Sequence, residues 1–253
     1  MKDKSRAAMP VLAAAVLAAC EVTPKPPPAA GATGFLFKSV TIADQHLDYA
    51  VYIPRTYDPR TPSPAILFLH GSGESGTDGQ KMIAQGIGTN ILWNAARWPC
   101  IVIMPQKPAE KRQWEDYDAL VMAALETTRR EYSVDPRHIA LTGNSQGGHG
   151  TWTLGAAHPE VWSALVPICG YPEPADPAVL ADRIRSIPVW CFHGETDNVV
   201  PPAKSQVMID ALHKAGASPK FTLYPGVNHG SWDKAYAEPE LPGWMMAQTA
   251  AAK

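Results

Sequence analysis

Apolar residues recur along the chain in short runs, and each run ends at a turn signal. Six of the runs are almost continuous in apolar residues, which is typical of parallel strands buried on both faces. They read AILFLHG, CIVIMPQ, HIALTGNS, ALVPICG, PVWCFHG and KFTLYPG. The stretches between them have helical spacing. This alternation predicts an α/β protein with a mostly parallel sheet and helices on both of its faces.

Two earlier runs predict a different arrangement at the edge of the sheet. Phe35–Val40 (FLFKSV) and Leu47–Pro54 (LDYAVYIP) have strand-like composition and a short polar connection, so we expect an antiparallel hairpin there. Together with the six later runs this gives eight strands. The clearest helix is predicted at Asp116–Tyr132, where strong helix formers accompany apolar residues such as Leu120 and Ala124.

The start of the chain has the features of an export signal. A basic opening, MKDKSR, precedes the apolar run Val11–Ala19, which is too short to span a bilayer. The run ends in LAAC, which resembles the lipobox of bacterial lipoproteins, and this resemblance implies cleavage before Cys20 and lipidation of that residue. An ordinary secretory signal cut near Ala19 is the alternative. Both interpretations predict an exported protein.

Three segments follow from this division. We expect a signal peptide over residues 1–19, a Pro-rich tether over 20–33, and one folded domain over 34–253, which is long enough to bury a single core. The protein is predicted to be a bacterial lipoprotein that is anchored to a membrane and faces the periplasm or the cell surface. Its predicted membrane contact is the lipid anchor on Cys20.

Charge bears on the partners of this protein, and the cysteines bear on disulfides and metal sites. The 22 basic and 24 acidic residues nearly cancel, so no nucleic-acid partner is expected. Beyond Cys20, an odd set of cysteines remains, namely Cys100, Cys169 and Cys191. Buried free thiols are the default for them, with a Cys169–Cys191 bridge as the alternative. No CxxC or HExxH spacing occurs, and the prediction is no metal and no cofactor.

A candidate nucleophile stands between two glycines. Gly143-Asn144-Ser145-Gln146-Gly147 fits the G-x-S-x-G pattern and follows the predicted strand HIALTG directly. A sharp strand-to-helix turn at this point needs small flanking residues, and it would lift the Ser145 hydroxyl above the sheet. The pattern therefore predicts Ser145 as a nucleophile.

Partners for this serine follow it in the order nucleophile, acid, base. A weakly acidic hydroxyl needs a base, and the base needs a carboxylate that orients it. Asp197 comes after the strand PVWCFHG and His229 comes after KFTLYPG, so both fall at carboxyl ends of strands. Glu195 and Asp176 are weaker candidates for the acid.

The loop HGSGE after AILFLHG predicts an oxyanion hole, because acyl transfer needs preorganised N–H donors. We expect the donors to be the backbone N–H groups of Gln146 and Ser72, with Gly73 open as an alternative to Ser72. Glu74 is a candidate substrate contact, and a role in pinning the glycine-rich loop is equally open. His70 and His193 are expected to serve packing.

From about Tyr49 to Trp244 the chain resembles a bacterial family of predicted peptidases and carboxylesterases related to dienelactone hydrolase and polyhydroxybutyrate depolymerase. The similar motifs are FLHGSGESGTDG, MPQKP, YSVDPRHIALTGNSQGG, ALVPICGY, HGETDNVVPP and NHGSWDKAY. The resemblance implies an α/β-hydrolase fold and ester hydrolysis. Gln146 stands where the family usually has Met, which leaves the backbone donor intact but alters the pocket wall.

The substrate prediction rests on a short connection. Only residues 170–187 separate ALVPICG from PVWCFHG, so no lid domain is expected. An uncovered site favours short-chain or aromatic acyl esters on small-molecule, carbohydrate or polymeric substrates. Trp114, Tyr171 and Trp232 are candidates for stacking on a ring, with core packing as the alternative. A serine peptidase and a non-catalytic binding lipoprotein remain as competing functions.

Overall fold

A computed structural model describes residues 31–251. In this part of the chain eight strands form one sheet in the order β1-β2-β4-β3-β5-β6-β7-β8. The strands are β1 (Gly34–Ile42), β2 (Gln45–Ile53), β3 (Ser63–Leu69), β4 (Ile101–Pro105), β5 (Val134–Asn144), β6 (Ala164–Ile168), β7 (Trp190–Gly194) and β8 (Lys220–Tyr224). The first two strands pair antiparallel, and β2 also runs antiparallel to β4. The other pairs are parallel.

Seven α-helices accompany these strands within residues 31–251. They are α1 (Ile87–Trp93), α2 (Asp118–Glu131), α3 (Gln146–Ala157), α4 (Pro177–Ile184), α5 (Ala203–Lys214), α6 (Trp232–Ala237) and α7 (Leu241–Ala247). Short 3-10 helices lie at Lys81–Ile83, Ala95–Arg97 and Trp114–Tyr117. Helices α1 to α5 lie between strands, in agreement with the predicted alternation, and α6 and α7 follow β8.

The sheet separates two hydrophobic cores, because its strands carry apolar side chains on both faces. One core joins the sheet to α2, α3, α4 and α5 through residues such as Leu120, Trp152 and Met208. The other joins it to α1, α6 and α7 through residues such as Ile87 and Tyr236. Helices thus cover both faces, as predicted.

The main fold predictions are confirmed. All eight apolar runs form strands, and the first two form the expected antiparallel edge hairpin. The predicted helix at Asp116–Tyr132 is α2, preceded by the 3-10 turn Trp114–Tyr117. Between β6 and β7 the only helix in the described chain is α4, so no lid domain is inserted there.

Most predictions for the N-terminal segments concern residues outside the described range. The signal peptide, Cys20 and most of the tether lie in residues 1–30, and β1 begins at Gly34. Within residues 31–251, no helix has both the length and the hydrophobicity that crossing a bilayer requires. Cys100, Cys169 and Cys191 are buried free thiols, so the bridge considered for Cys169–Cys191 is absent.

Candidate active site

Three predicted site residues meet at the carboxyl edge of the sheet. The Ser145 hydroxyl follows β5, and its Oγ lies 2.9 Å from His229 Nε2. The other imidazole nitrogen, Nδ1, lies 2.7 Å from Asp197 Oδ2. Asp197 is buried and follows β7, and His229 is half-buried in the loop after β8. The fold therefore joins three residues that are far apart in sequence into one hydrogen-bonded chain.

The turn that presents Ser145 is strained and closely packed. Ser145 has φ 55° and ψ −116°, a conformation that residues with side chains rarely adopt. A Cβ at Gly147 would lie 1.8 Å from the carbonyl oxygen of Leu69, and one at Gly143 would lie 2.4 Å from that of Gly147. The G-x-S-x-G spacing is therefore a steric requirement of the β5–α3 turn.

Hydrogen bonding fixes the form of the base. Asp197 Oδ2 can only accept from His229, so Nδ1 carries a proton and Nε2 is left to accept from the Ser145 hydroxyl. The second carboxylate oxygen, Oδ1, accepts the backbone N–H groups of Val199 and Val200, both at 2.9 Å. Asp197 is thereby oriented by its own loop.

The alternative acids have other roles. Glu195 accepts the backbone N–H of Gly226 at 3.0 Å. Asp176 is the N-cap of α4, where its side chain accepts from the N–H of Ala178 at 2.9 Å. Both carboxylates are loop or helix caps in this structure.

A second histidine, His193, contacts Asp197. The sequence analysis assigned this histidine to packing. His193 is buried at the end of β7, and its Nε2–H donates to Val200 O at 2.9 Å and towards Asp197 Oδ2 at 3.2 Å. Its Nδ1 accepts from the Ser205 hydroxyl at 2.7 Å. Burial lowers the pKa of His193, which keeps the ring neutral. The His-Gly pattern alone gave no sign of this contact.

The predicted oxyanion donors flank the nucleophile turn. Gln146 is the first residue of α3, so its backbone N–H has no acceptor within the helix. Its side chain is buried and donates to Glu110 O at 3.1 Å. Ser72 is half-buried in the loop after β3, whereas Gly73 is exposed. A Cβ at Gly71 in this loop would lie 3.2 Å from Asn144 Nδ2, so the loop runs beside the residue that precedes Ser145.

Glu74 turns towards its own loop, which supports the pinning role. The amide of Gln85 lies 3.1 and 3.2 Å from the two carboxylate oxygens, where only its nitrogen can form hydrogen bonds. Burial raises the pKa of Glu74, and hydrogen bonds from the backbone of Gly71 and of Glu74 itself oppose that shift. The carboxylate therefore joins the loop after β3 to the segment before α1.

Two further residues, which the sequence analysis did not single out, bind the same loop. Both directly follow β4. Gln106 accepts the N–H of Gly79 at 2.8 Å and donates to Glu74 O at 3.0 Å. The buried ammonium of Lys107 donates to Ser75 Oγ at 2.9 Å and to Ala109 O at 2.7 Å. Burial lowers the pKa of Lys107 to about 8. Their only sequence signal was the MPQKP motif, which names no partner.

His70 serves packing, as expected. Its Nδ1–H donates to Gly71 O at 2.5 Å, and its Nε2 accepts the backbone N–H of Lys107 at 2.9 Å. Burial lowers the pKa of His70 to about 3, so the ring is neutral. It links the end of β3 to the end of β4.

The aromatic residues divide between core and site. Trp114 is 0% exposed, and its indole N–H donates to His70 O at 3.1 Å. The prediction that Trp114 contacts substrate is therefore wrong, because its ring is packed beneath α3 against Gly150. Trp232 is half-buried, and its ring meets the His229 imidazole edge to face at 5.3 Å between centroids. It forms part of the site wall.

A buried histidine supports the start of α3. His149 lies between the Tyr171 carbonyl oxygen, 2.8 Å from Nδ1, and the Glu115 carboxylate, 2.7 Å from Nε2. Its ring stacks on that of Tyr171 at 4.6 Å. Tyr171, a candidate ring contact from the sequence, is thus held against α3.

One cluster has the composition of a metal site. Atoms of Cys169, Asp197 and His229 lie within 4.8 Å of one another. However, Asp197 and His229 are bonded to each other, and burial raises the pKa of the Cys169 thiol well above its usual range. A protonated thiol is a poor metal ligand. The chemistry of these groups fits proton transfer between serine and imidazole, with the carboxylate orienting the imidazole.

Fold and site together define the class of protein. An eight-stranded sheet with an antiparallel edge and a serine at a β5–α3 elbow is the architecture of an α/β-hydrolase. The model of the dienelactone hydrolase family matches residues 94–252. The chain belongs to the dienelactone hydrolase family, which is a family of esterase-type hydrolases.

Known proteins agree with this assignment. A thermostable esterase of known structure superposes with a TM-score of 0.73 and 30% identity, covering 85% of this chain and 63% of its own. A feruloyl esterase module from Clostridium thermocellum, solved with sinapinate, gives a TM-score of 0.68 at 17% identity, covering 89% and 92% of the two chains. The latter likeness shows the fold alone.

A curated relative is described as a secreted protein of Arthroderma benhamiae. It is 23% identical over 214 residues, which are 68% of this chain and 22% of the relative. The chain therefore spans about a fifth of that relative and under two thirds of the thermostable esterase.

Proposed function

We propose that this protein is a serine carboxylic-ester hydrolase that works through an acyl-enzyme, with Ser145 as nucleophile, His229 as base and Asp197 as orienting acid. The observation that carries the proposal is the continuous hydrogen-bonded chain from Ser145 Oγ through His229 to Asp197. A structural serine has no need of a base that is itself oriented by a buried carboxylate.

The geometry supports a two-step reaction. His229 Nε2 removes the hydroxyl proton as Ser145 Oγ attacks the ester carbonyl, and the N–H groups of Gln146 and the Ser72 loop stabilise the oxyanion. The imidazolium then protonates the departing alcohol. Water, deprotonated by the same imidazole, releases the acid from the ester formed on Ser145. Throughout, Asp197 stabilises the cation on His229.

The open site supports short-chain or aromatic acyl groups. In residues 31–251 no inserted domain separates β6 from β7, so nothing in that region encloses a long acyl chain. The name of the feruloyl esterase module, which shares the fold, adds an aromatic acyl ester as a specific candidate. Export and anchoring through Cys20 belong to the same proposal, and palmitate labelling that is lost in Cys20→Ser would test them.

The direct test is ester hydrolysis by the purified protein. We expect p-nitrophenol release from acetate and butyrate esters, and a rate at least about 10⁴-fold lower in Ser145→Ala. Ser218→Ala is a matched control, because this exposed serine precedes β8 at the opposite edge of the sheet. Activity that survives in Ser145→Ala, or is absent from the wild type on short and aromatic acyl esters, would contradict the proposal.

A further inference from the structure

A cavity of about 360 Å³ lies between α1 and α6. It is lined by Gly86, Thr89, Asn90, Trp93, Asp233 and Ala237. None of these residues takes part in the hydrogen-bonded chain of the proposed catalytic site. We call this cavity the α1–α6 pocket.

The pocket adjoins the proposed catalytic residues on two sides. On the α1 side, a Cβ at Gly86 would lie 3.0 Å from Asn144 Oδ1, and Asn144 directly precedes Ser145. On the α6 side, Asp233 follows Trp232, whose ring touches the His229 imidazole. A group bound here is therefore close to both the nucleophile turn and the base.

Trp93 is the unusual surface residue of this region. It is 90% exposed at the end of α1, more than any other large apolar residue in the described chain. Exposing an indole to water forgoes the favourable free energy of burying it, and this indole lines a pocket, where a bound ring would cover it. Its flat face suits the C–H face of a ring that also carries polar groups.

Polar groups of the pocket complement such a ring. Asn90 accepts the indole N–H of Trp98 through its oxygen at 2.9 Å, and its amide nitrogen takes part in no hydrogen bond among residues 31–251. Asp233 is an exposed residue of the pocket lining, and its carboxylate takes part in no ion pair among residues 31–251. Partial desolvation raises its pKa. An unpaired carboxylate and an amide donor are the groups that bind neighbouring hydroxyls.

We propose that the α1–α6 pocket binds a sugar unit in the alcohol portion of the ester, with Trp93 as stacking face and Asp233 and Asn90 as hydroxyl-binding groups. The inference rests on the proposed esterase function. The alcohol side is indicated because the leaving oxygen takes its proton from His229, and Asp233 of the pocket directly follows Trp232, whose ring meets the His229 imidazole. The carboxylate also disfavours an alkyl chain or an anion in the same place.

The test compares alcohols that carry the same acyl group. The substrates are ethyl acetate and the monoacetylated methyl glycosides of xylose, arabinose and glucose, with acetate release as the readout. We expect Trp93→Ala to lower kcat/KM about tenfold on the preferred glycoside and less than twofold on ethyl acetate. Trp93→Phe should recover most of the loss. Leu92→Ala, an exposed neighbour outside the pocket lining, should resemble the wild type.

Other outcomes are equally decisive. Equal losses on glycoside and ethyl acetate, or no loss on any glycoside, would overturn the sugar site while leaving the esterase intact. Inactivity of the wild type on every ester would instead count against the proposed function. In that case, the pocket is tested by itself by titrating Ser145→Ala with the three acetylated methyl glycosides and measuring tryptophan fluorescence. Saturable quenching of tryptophan fluorescence that is lost with Trp93→Ala supports the site, and unchanged fluorescence refutes it.

Discussion

At the residue scale, the proposed site depends on how one carboxylate distributes its two oxygens. Asp197 Oδ1 accepts two backbone N–H groups, and Oδ2 faces both His229 and His193. Both donors to Oδ2 interact with the same negative charge. In the proposed mechanism, the contact with His193 therefore limits how strongly Asp197 would bind the His229 imidazolium. His193 is thus a positioning residue that acts through Asp197.

Replacing His193 should therefore change the pH dependence as well as the rate. In His193→Ala the carboxylate loses one donor and binds the cationic base more strongly. We expect kcat to fall several-fold and the acid limb of the kcat/KM profile to move to higher pH. His193→Gln, whose amide N–H reaches a similar position, should restore the profile. A slower His193→Ala enzyme with an unshifted profile would mean that the histidine only supports the fold.

At the scale of elements, the β5–α3 turn and the loop after β3 are locked together. Gly147 in α3 packs directly on the backbone at the end of β3. Gln106 and Lys107 at the end of β4 bind the oxyanion loop, and Lys107 does so as a buried cation with several acceptors. The proposed nucleophile and the proposed oxyanion donors are therefore held by one assembly of strand ends.

A pair of glycine substitutions tests this close packing. Gly147→Ala places a methyl group 1.8 Å from Leu69 O, so the strand end must move. We expect about 4 kcal/mol of lost stability, measured by chemical unfolding. Gly243→Ala in α7 is the control, because its Cβ meets nothing within 4 Å and alanine favours helix by about 1 kcal/mol. Similar stabilities for the two variants would contradict the packing.

At the scale of the whole molecule, most of the architecture could be predicted. Continuous apolar runs identified the strands because parallel strands are buried on both faces, and the order of Ser145, Asp197 and His229 followed from where strands end. Contacts across the sheet could not be predicted, since neither His193 nor Lys107 carries a sequence signal for its partner. The burial of Trp114 and the exposure of Trp93 could not be predicted for a similar reason. The sequence pattern does not distinguish a tryptophan in the core from one at the surface.

Buried neutral histidines should govern the acid stability of the whole fold. His70 has a folded pKa of about 3 against an ordinary 6.5. In the unfolded chain His70 is therefore protonated below pH 6.5, whereas in the folded chain it stays neutral down to about pH 3. Its contribution is constant above pH 6.5, and stability falls by about 1.4 kcal/mol per pH unit below it. His193, whose pKa is also lowered, acts in the same direction.

Unfolding by urea between pH 7.5 and pH 4 checks this expectation. His70→Asn keeps a donor near Gly71 O, and it should be less stable than the wild type at pH 7.5. Below pH 6.5 its stability should decline less steeply, so that the two curves converge. Parallel curves would show that His70 is not the group that resists protonation.

The central claim is that Ser145 is a nucleophile activated by His229. Covalent labelling with a fluorophosphonate, followed by peptide mapping, tests it most directly, because this reagent modifies a serine only where a base and an oxyanion hole activate it. The account predicts one modified peptide, containing Ser145, with labelling abolished in Ser145→Ala and strongly slowed in His229→Ala. Labelling elsewhere, or at an equal rate without His229, would contradict it.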